Sequence, residues 1–282
     1  MLLETRTKIA CNNEYDTLKK VIVCDPKYMT IREVINETQK HYKEDNISID
    51  IAMKQHKKFV ELLKEQNVEV INLPSLKKYH EQVFTRDIGF VIGEIIFVAN
   101  MANEARIGEE DILKNYLEGD VISYYNLIGD QIEGGDVLID GRNIYIGLSN
   151  RTNESAVHHM QKLLPRYTII PISFKEKYLH LDCVFNIISP HEALYYPEAF
   201  DEGTLKELKN HYDLIPVCQS EQFSLGTNVF SVGNKKIFSL ITNKKINTAL
   251  SERGYSVIEV EFSEIIKSGG SFRCCTLPIL RK

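Results

Sequence analysis

The chain has 282 residues, with 34 Lys+Arg against 39 Asp+Glu for a net charge of −5, and 43% of its residues are hydrophobic. That composition excludes a disordered, collagen-like or minimal disulfide-scaffold protein and is enough to build a sizeable core. A mildly acidic chain without a long Lys/Arg block lacks the charge to grip phosphate backbones, so no nucleic-acid partner is expected and a small molecule is.

Met1 to Ala10 carries Glu4, Arg6 and Lys8 and lacks a signal-peptide apolar run, which makes the cytoplasm the expected compartment. Leu18 to Val23 reads as a strand. Tyr28 to Ser48 is polar and aperiodic and reads as a loop able to act as a mobile lid. Ile49 to Gln66 places Ala52, His56, Phe59 and Leu63 on one face of a helix. Val91 to Val98 reads as a hairpin, preceded by Asp87, and Asn103 to Leu117 as a helix capped by Asn103. The apolar stretch Ile88 to Ala102 is interrupted and too short to span a bilayer, so no membrane partner is expected.

Glu133 and Asp136 precede a second hairpin, Val137 to Ile146, turned at Asp140-Gly141. The helix Asn153 to Leu164 follows, capped by Asn153. His180 and Asp182 precede the strands Val184 to Ile187 and Ala193 to Tyr195, with a helix at Thr204 to His211. Thr227 and Asn228 precede Val229 to Val232 and Ile237 to Ser239, with a helix at Asn243 to Arg253. Strand starts at Phe90, Val137, Val184 and Val229 are spaced by 47, 47 and 45 residues. A further 47 lands on Thr276, between Cys274 and the apolar Leu277 to Leu280, whose missing partner is Leu18 to Val23. This is an internal repeat, and five such units joined at the chain ends imply one cyclic α/β domain over residues 1–282.

The repeat puts one acidic or reactive group before each first strand, so these groups should meet near one axis. The six cysteines contain no Cys-x-x-Cys pair, so no zinc site is expected and free thiols are. Cys274 is then the candidate nucleophile, as a thiolate stabilised by protonated His180 or by a cationic substrate. His180 is the acid/base partner and Glu133 orients it. Asp87, Asp136 and Asp182 remain, and carboxylates pair best with a planar guanidinium, which points to a guanidino substrate. Taken singly, each residue has a plainer reading: Cys274 as core filler, His180 as a core histidine, Glu133 to Asp136 as a turn, Asp87 as the partner of Arg86. Their joint placement in the repeat favours the site. A metal site from His158, His159, His180 and Cys183 is disfavoured, because adjacent helical residues point about 100° apart.

At Phe84-Thr85-Arg86-Asp87, Ile132-Glu133-Gly134-Gly135-Asp136-Val137, His180-Leu181-Asp182 and Gly269-Gly270-Ser271-Phe272-Arg273-Cys274 the chain resembles the guanidino-group-modifying (pentein) superfamily. Its members include arginine deiminases, dimethylarginine dimethylaminohydrolases and amidinotransferases, and the four motifs stand in the family's order. The resemblance implies a five-bladed α/β propeller of ββαβ repeats. It implies that Cys274 attacks the guanidinium carbon, that His180 and Glu133 handle the proton, and that Asp87 and Asp182 hold the guanidinium. It further implies that Arg106 and Arg151 hold a substrate α-carboxylate, and that no cofactor or metal is needed. The expected activity is hydrolysis of arginine or an N-methylated arginine to citrulline plus ammonia or a methylamine. An amidinotransferase is the alternative, a non-catalytic binding protein is a third reading, and homo-oligomerisation is left open. The chain's size, without room for the deiminases' large helical insertion, resembles the dimethylarginine dimethylaminohydrolases. His180-Leu181-Asp182 instead resembles the deiminases and amidinotransferases, the dimethylarginine enzymes tending to carry another residue at the Asp position. A second carboxylate suits an unmethylated N–H face, which makes arginine itself a candidate substrate. Of Cys274 and Cys275, the motif spacing selects Cys274.

Overall fold

The computed structural model describes residues 8–282, so the reading of Met1 to Ala10 lies largely outside the described residues. From the N-terminus, β1 (Leu18–Cys24) leads through α1 (Glu37–Tyr42) and α2 (Ile49–Glu65) to β2 (Glu69–Leu73), which pairs parallel with β1. The next unit is β3 (Gly89–Ile92), β4 (Ile95–Val98), α3 (Asp111–Gly119) and β5 (Tyr124–Asn126). Then come β6 (Val137–Asp140), β7 (Asn143–Leu148), α4 (Glu154–Leu163) and β8 (Thr168–Ser173). A further unit is β9 (Phe185–Ile187), β10 (Glu192–Tyr195), α5 (Glu202–His211) and β11 (Asp213–Pro216). After a short α6 (Gln219–Phe223) follow β12 (Phe230–Gly233), β13 (Lys236–Leu240), α7 (Lys244–Glu252) and β14 (Ser256–Val260). The final β15 (Leu277–Arg281) pairs antiparallel with β1, with Ile22 opposite Leu277, and completes the fifth sheet from the two ends of the chain.

Each of the five three-stranded sheets therefore has an antiparallel pair whose second strand pairs parallel, across a helix, with the third. A parallel pairing needs such a crossover, and the helices supply it. Burial grades outward: β3, β9, β12 and β15 are buried at every position, whereas β2, β5 and β14 are mostly half-exposed or exposed. The expected five-bladed α/β propeller is this structure, with the first strand of each blade innermost. Among the described residues no helix is long and apolar enough to cross a membrane.

Several elements formed where the residues placed them. The α2 face Ala52, His56, Phe59 and Leu63 is buried, and the Asn153 side chain accepts a hydrogen bond from the Ala156 amide at the start of α4. Two expectations shift. The helix expected from Asn103 begins at Asp111, because residues 102–110 form turns around Gly108, whose φ of +90° is incompatible with a helix. Within the expected loop Tyr28 to Ser48, α1 forms because Asn36 accepts from the Gln39 amide, Glu37 begins the helix and Lys40 and His41 end it.

Candidate active site

The innermost strands all start from the same end, and the turns before them are joined into a ring of hydrogen bonds. Arg86 N donates to Cys274 O (3.0 Å), Gly134 N to Asp87 O (3.1 Å) and Leu181 N to Asp136 Oδ1 (2.8 Å). Asn228 Nδ2 donates to Asp182 O (3.2 Å) and Arg273 N to Asn228 O (3.4 Å), so each blade is tied to the next and the fifth to the first. The residues expected to cluster are therefore held by backbone and short side chains. Glycine is required at two points of this ring: a Cβ on Gly134 would lie 2.1 Å from Arg86 O, and one on Gly135 would lie 2.7 Å from the His180 ring and 2.9 Å from Asp87 Oδ1.

Inside the ring His180 Nε2 donates to Glu133 Oε2 at 2.8 Å, and its Nδ1 faces Asp87 Oδ1 at 3.6 Å. Neither of those last two atoms has a hydrogen-bond partner, although both are buried. Burial alone would drive the proton off His180, but Asp87, then Glu133 and Asp136, outweigh it and push its pKa up to about 10. Glu133, opposed by burial but held chiefly by His180, is shifted below the ordinary carboxylate range, and its Oε1 accepts from the Ala102 amide at 3.0 Å. The pair is a histidinium and a carboxylate.

On the other side of the ring the Cys274 thiol lies 3.8 Å from each oxygen of Asp182, and its amide donates to Asn228 Oδ1 at 3.2 Å. Burial raises the Asp182 pKa, while Arg273 and His180 pull it down. Arg273 Nε lies 3.4 Å from Asp182 Oδ2, and its Nη1 pairs with Glu14 Oε2 at 2.6 Å. Cys274 and Cys275 sit in a turn rather than a strand, so alternation does not separate them. What separates them is that the Cys274 thiol meets Asp182.

The two arginines part company. Arg106 binds Asp87 Oδ2 through Nη1 at 2.6 Å and Glu109 Oε2 through Nε and Nη2 at 3.0 and 2.8 Å, with its Nη2 also near the carbonyls of Glu81 and Phe84. The expectation that it grips a substrate carboxylate does not fit this arrangement, since it is buried and committed to fixing Asp87. Arg151 is different: its Nη2 donates to Ile35 O at 3.3 Å, while Nη1, 3.8 Å from Glu133 Oε1 in a long ion pair, has no hydrogen-bond partner. Asp136, expected among the substrate carboxylates, instead uses Oδ1 on the Leu181 amide and Oδ2 on the Ser149 hydroxyl (2.6 Å). Burial raises its pKa to about 6. It supports the His180 turn from behind.

Sequence reasoning missed Glu14, Arg273 and Glu109 as parts of the site. Asn228 was legible as the fourth member of the repeat without an assigned task. It missed too that α1 packs on the Ile265–Ser268 turn that precedes the Cys274 segment: Gln39 Nε2 donates to Glu81 Oε1 (2.9 Å) and Ser268 Oγ (2.8 Å), and Asn36 Nδ2 to Ser268 O (2.9 Å). Two groups of potential metal ligands occur among the described residues, Asp182-Cys183-Cys274 and Asp87-Glu133-His180. His158 and His159 are outside both: the first faces its own helix at Glu154 O and the second pairs with Asp130.

Comparison with known proteins gives the same frame. Residues 25–281 match the family described as N,N dimethylarginine dimethylhydrolase, eukaryotic. The chain is 52% identical over 278 residues to the uncharacterized protein YkgA of Bacillus subtilis, covering 99% of this chain and 97% of that one. Among solved structures it resembles the N-terminal domain of ArgZ bound to product, an arginine dihydrolase from the ornithine-ammonia cycle in cyanobacteria. There the TM-score is 0.86 at 26% identity, covering 94% of this chain and 98% of that one. It shares its fold with SxtG, an amidinotransferase from Microseira wollei, at a TM-score of 0.85 and 19% identity over 97% of each chain.

Proposed function

Because the chain belongs to the N,N dimethylarginine dimethylhydrolase family, within the pentein superfamily, we propose that it hydrolyses a C–N bond of the guanidinium of arginine or an N-methylated arginine, with arginine preferred. The observation that carries this reading is the unpartnered pair Asp87 Oδ1 and His180 Nδ1, facing each other at 3.6 Å in a buried site across from Cys274 and Asp182. A buried acceptor left open at Asp87 implies a ligand that donates to it, and a planar cation with several N–H groups suits Asp87 and Asp182, while the His180 Nδ1–H is the proton held for the departing nitrogen.

Asp87, fixed by Arg106, and Asp182, fixed by Arg273, hold opposite N–H edges of the guanidinium. The Cys274 thiolate attacks the central carbon, and His180 gives its proton to the departing nitrogen, which leaves as ammonia. The amidino group remains on sulfur as a thiouronium. Neutral His180 then takes a proton from water, the hydroxide adds to the same carbon, and the Cys274–carbon bond breaks to release citrulline. Glu133 stabilises His180 whenever it is charged. Arg151 lines a small cavity with Ile35, Asn150, Lys177 and Tyr178, and this residue, whose Nη1 has no hydrogen-bond partner, is the cation for the substrate's α-carboxylate.

The preference for arginine rests on Asp182. An N-methyl group in place of an N–H would leave an oxygen of the buried Asp182 carboxylate without its donor, at a cost of about 1–3 kcal/mol or roughly 5- to 150-fold in specificity. The test is turnover with arginine, N-methylarginine, dimethylarginine and agmatine, following ammonia, methylamines, citrulline and ornithine. Product from arginine above all, and none from agmatine, which lacks the carboxylate, is expected. Dimethylarginine as the best substrate would overturn the role of Asp182, and agmatine as a good one that of Arg151.

A further inference from the structure

Cys183 takes no part in the reaction above, yet it borders it. Its Sγ, the Cys274 Sγ and a carboxylate oxygen of Asp182 all lie within 4.8 Å of one another, and all three residues are buried. None of the other four cysteines belongs to that group. Cys183 also lines a cavity of 470 Å³ whose wall includes Asn36, Leu179, Phe223, Leu225 and Gly269, which brings a small solute as far as Cys183, the neighbour of Cys274.

We propose that Cys183 is a resolving thiol for Cys274, so that a hydroperoxide converts the site into a reversible Cys183–Cys274 disulfide and switches it off. The proposal rests on Cys274 being the nucleophile of the reading above. In the first step the Cys274 thiolate attacks a peroxide oxygen and the O–O bond breaks. The leaving oxygen departs as water or an alcohol after taking a proton, and Cys274 is oxidised to the sulfenic acid as the peroxide is reduced. In the second step Cys183 attacks the Cys274 sulfur. An S–S bond forms, the S–O bond breaks, and water leaves with the Cys183 proton. A dithiol reductant returns both thiols.

The geometry permits the second step. The sulfurs must close to about 2 Å, and both residues lie in short turns, Cys183 at the end of the 181–183 turn and Cys274 in the 272–275 turn, rather than in a strand ladder. The hydrogen bond with Cys274, and then burial, hold the Cys183 thiol well above its ordinary range. Converting Cys274 to a neutral sulfenic acid removes the neighbouring thiol and its charge, so Cys183 becomes easier to ionise at the stage where its thiolate is needed. A thiol placed only as a small apolar filler would need no second sulfur beside it.

The test treats the whole purified protein with a few equivalents of hydrogen peroxide, blocks free thiols with an alkylating reagent, and maps peptides without reduction. The expected result is a cross-linked peptide pair joining Cys183 to Cys274, with loss of turnover that dithiothreitol restores. With Cys183→Ser the same treatment carries Cys274 on to sulfinic or sulfonic acid, and the dithiothreitol-recoverable fraction is lost. Oxidised Cys274 without the cross-link in the native protein, or a Cys274–Cys275 bond instead, would overturn the proposal. The mapping reads the bond independently of turnover. A mapped bond in a protein inactive on guanidino compounds therefore supports this proposal while sinking the functional one, and turnover without the bond does the reverse.

Discussion

His180 shows how a single side chain acquires its task from its surroundings. Free histidine holds a proton only to about pH 6.5, but the carboxylates of Asp87, Glu133 and Asp136 keep it protonated to about pH 10. Its proton is thus available to the leaving nitrogen throughout the neutral range, and kcat/KM should hold on the alkaline side until it falls near pH 10. His180→Gln should lose about 10²- to 10⁴-fold in kcat. A pH–rate profile that declines with an alkaline limb near 7 would contradict the assigned environment. The same shift links to stability. The folded pKa lies above the unfolded one, so the stabilising contribution is fully present below about pH 6.5 and is lost as pH rises through about 10. At this scale the gathering of His180 with Glu133 and Asp87, and of Cys274 with Asp182, was legible because such residues recur at one point of a repeat. The partners of Arg106 and Asp136 within the protein were not legible, because a sequence shows a charge and not what it pairs with. Glu109, three residues beyond Arg106, absorbs the arginine, and the Leu181 amide and Ser149 absorb Asp136. Glu14 and Arg273 pair across 259 residues, a contact no local pattern announces.

The elements carry the next layer, and the turn of Glu133 to Asp136 is the clearest instance. Gly135 leaves room for His180 and Asp87 to approach each other, and any side chain there meets both within 3 Å. Gly135→Ala should therefore displace His180 and lower kcat by at least about tenfold, since a misplacement of about 1 Å can cost a hundredfold. The fold should survive, because the pressure falls on side-chain atoms of the site. Circular dichroism and thermal melting beside the kinetics would check this, and an unchanged kcat would count against the proposed placement of His180. The strands and helices α2, α4, α5 and α7 were readable from periodicity and caps. The start of α3 was not, because Gly108 breaks an otherwise apolar-periodic stretch. Helix α1 was not, because it is six residues long and depends on Asn36 and on the buried contacts of Gln39 with Glu81 and Ser268.

At the scale of the molecule the ends of the chain make one blade, and the hydrogen-bonded ring around the site closes only if that blade forms. β15 is buried along its length and lies between β1 and the neighbouring β3. Removing residues 277–282 would expose the sites of Leu277, Ile279 and Leu280. At about 1.5–3 kcal/mol for each side chain, the loss is about 5–9 kcal/mol, against a usual total of about 5–15. The truncated chain should therefore lose its cooperative unfolding transition as well as its turnover. A truncated protein that still melts cooperatively near the full-length midpoint would mean that the blade is dispensable. The spacing of 47, 47 and 45 residues made this architecture legible, including the joining of the ends. It left unstated the ring of inter-blade hydrogen bonds that converts five strand starts into one buried site.

The measurement that bears most directly on this account is mass spectrometry of the full-length protein quenched in acid during turnover of arginine, followed by peptide mapping. The account predicts an amidino adduct from the substrate on Cys274, absent from Cys274→Ser, which should form no citrulline. Steady turnover by Cys274→Ser, or an adduct on Cys275 or Cys183 in place of Cys274, would contradict it.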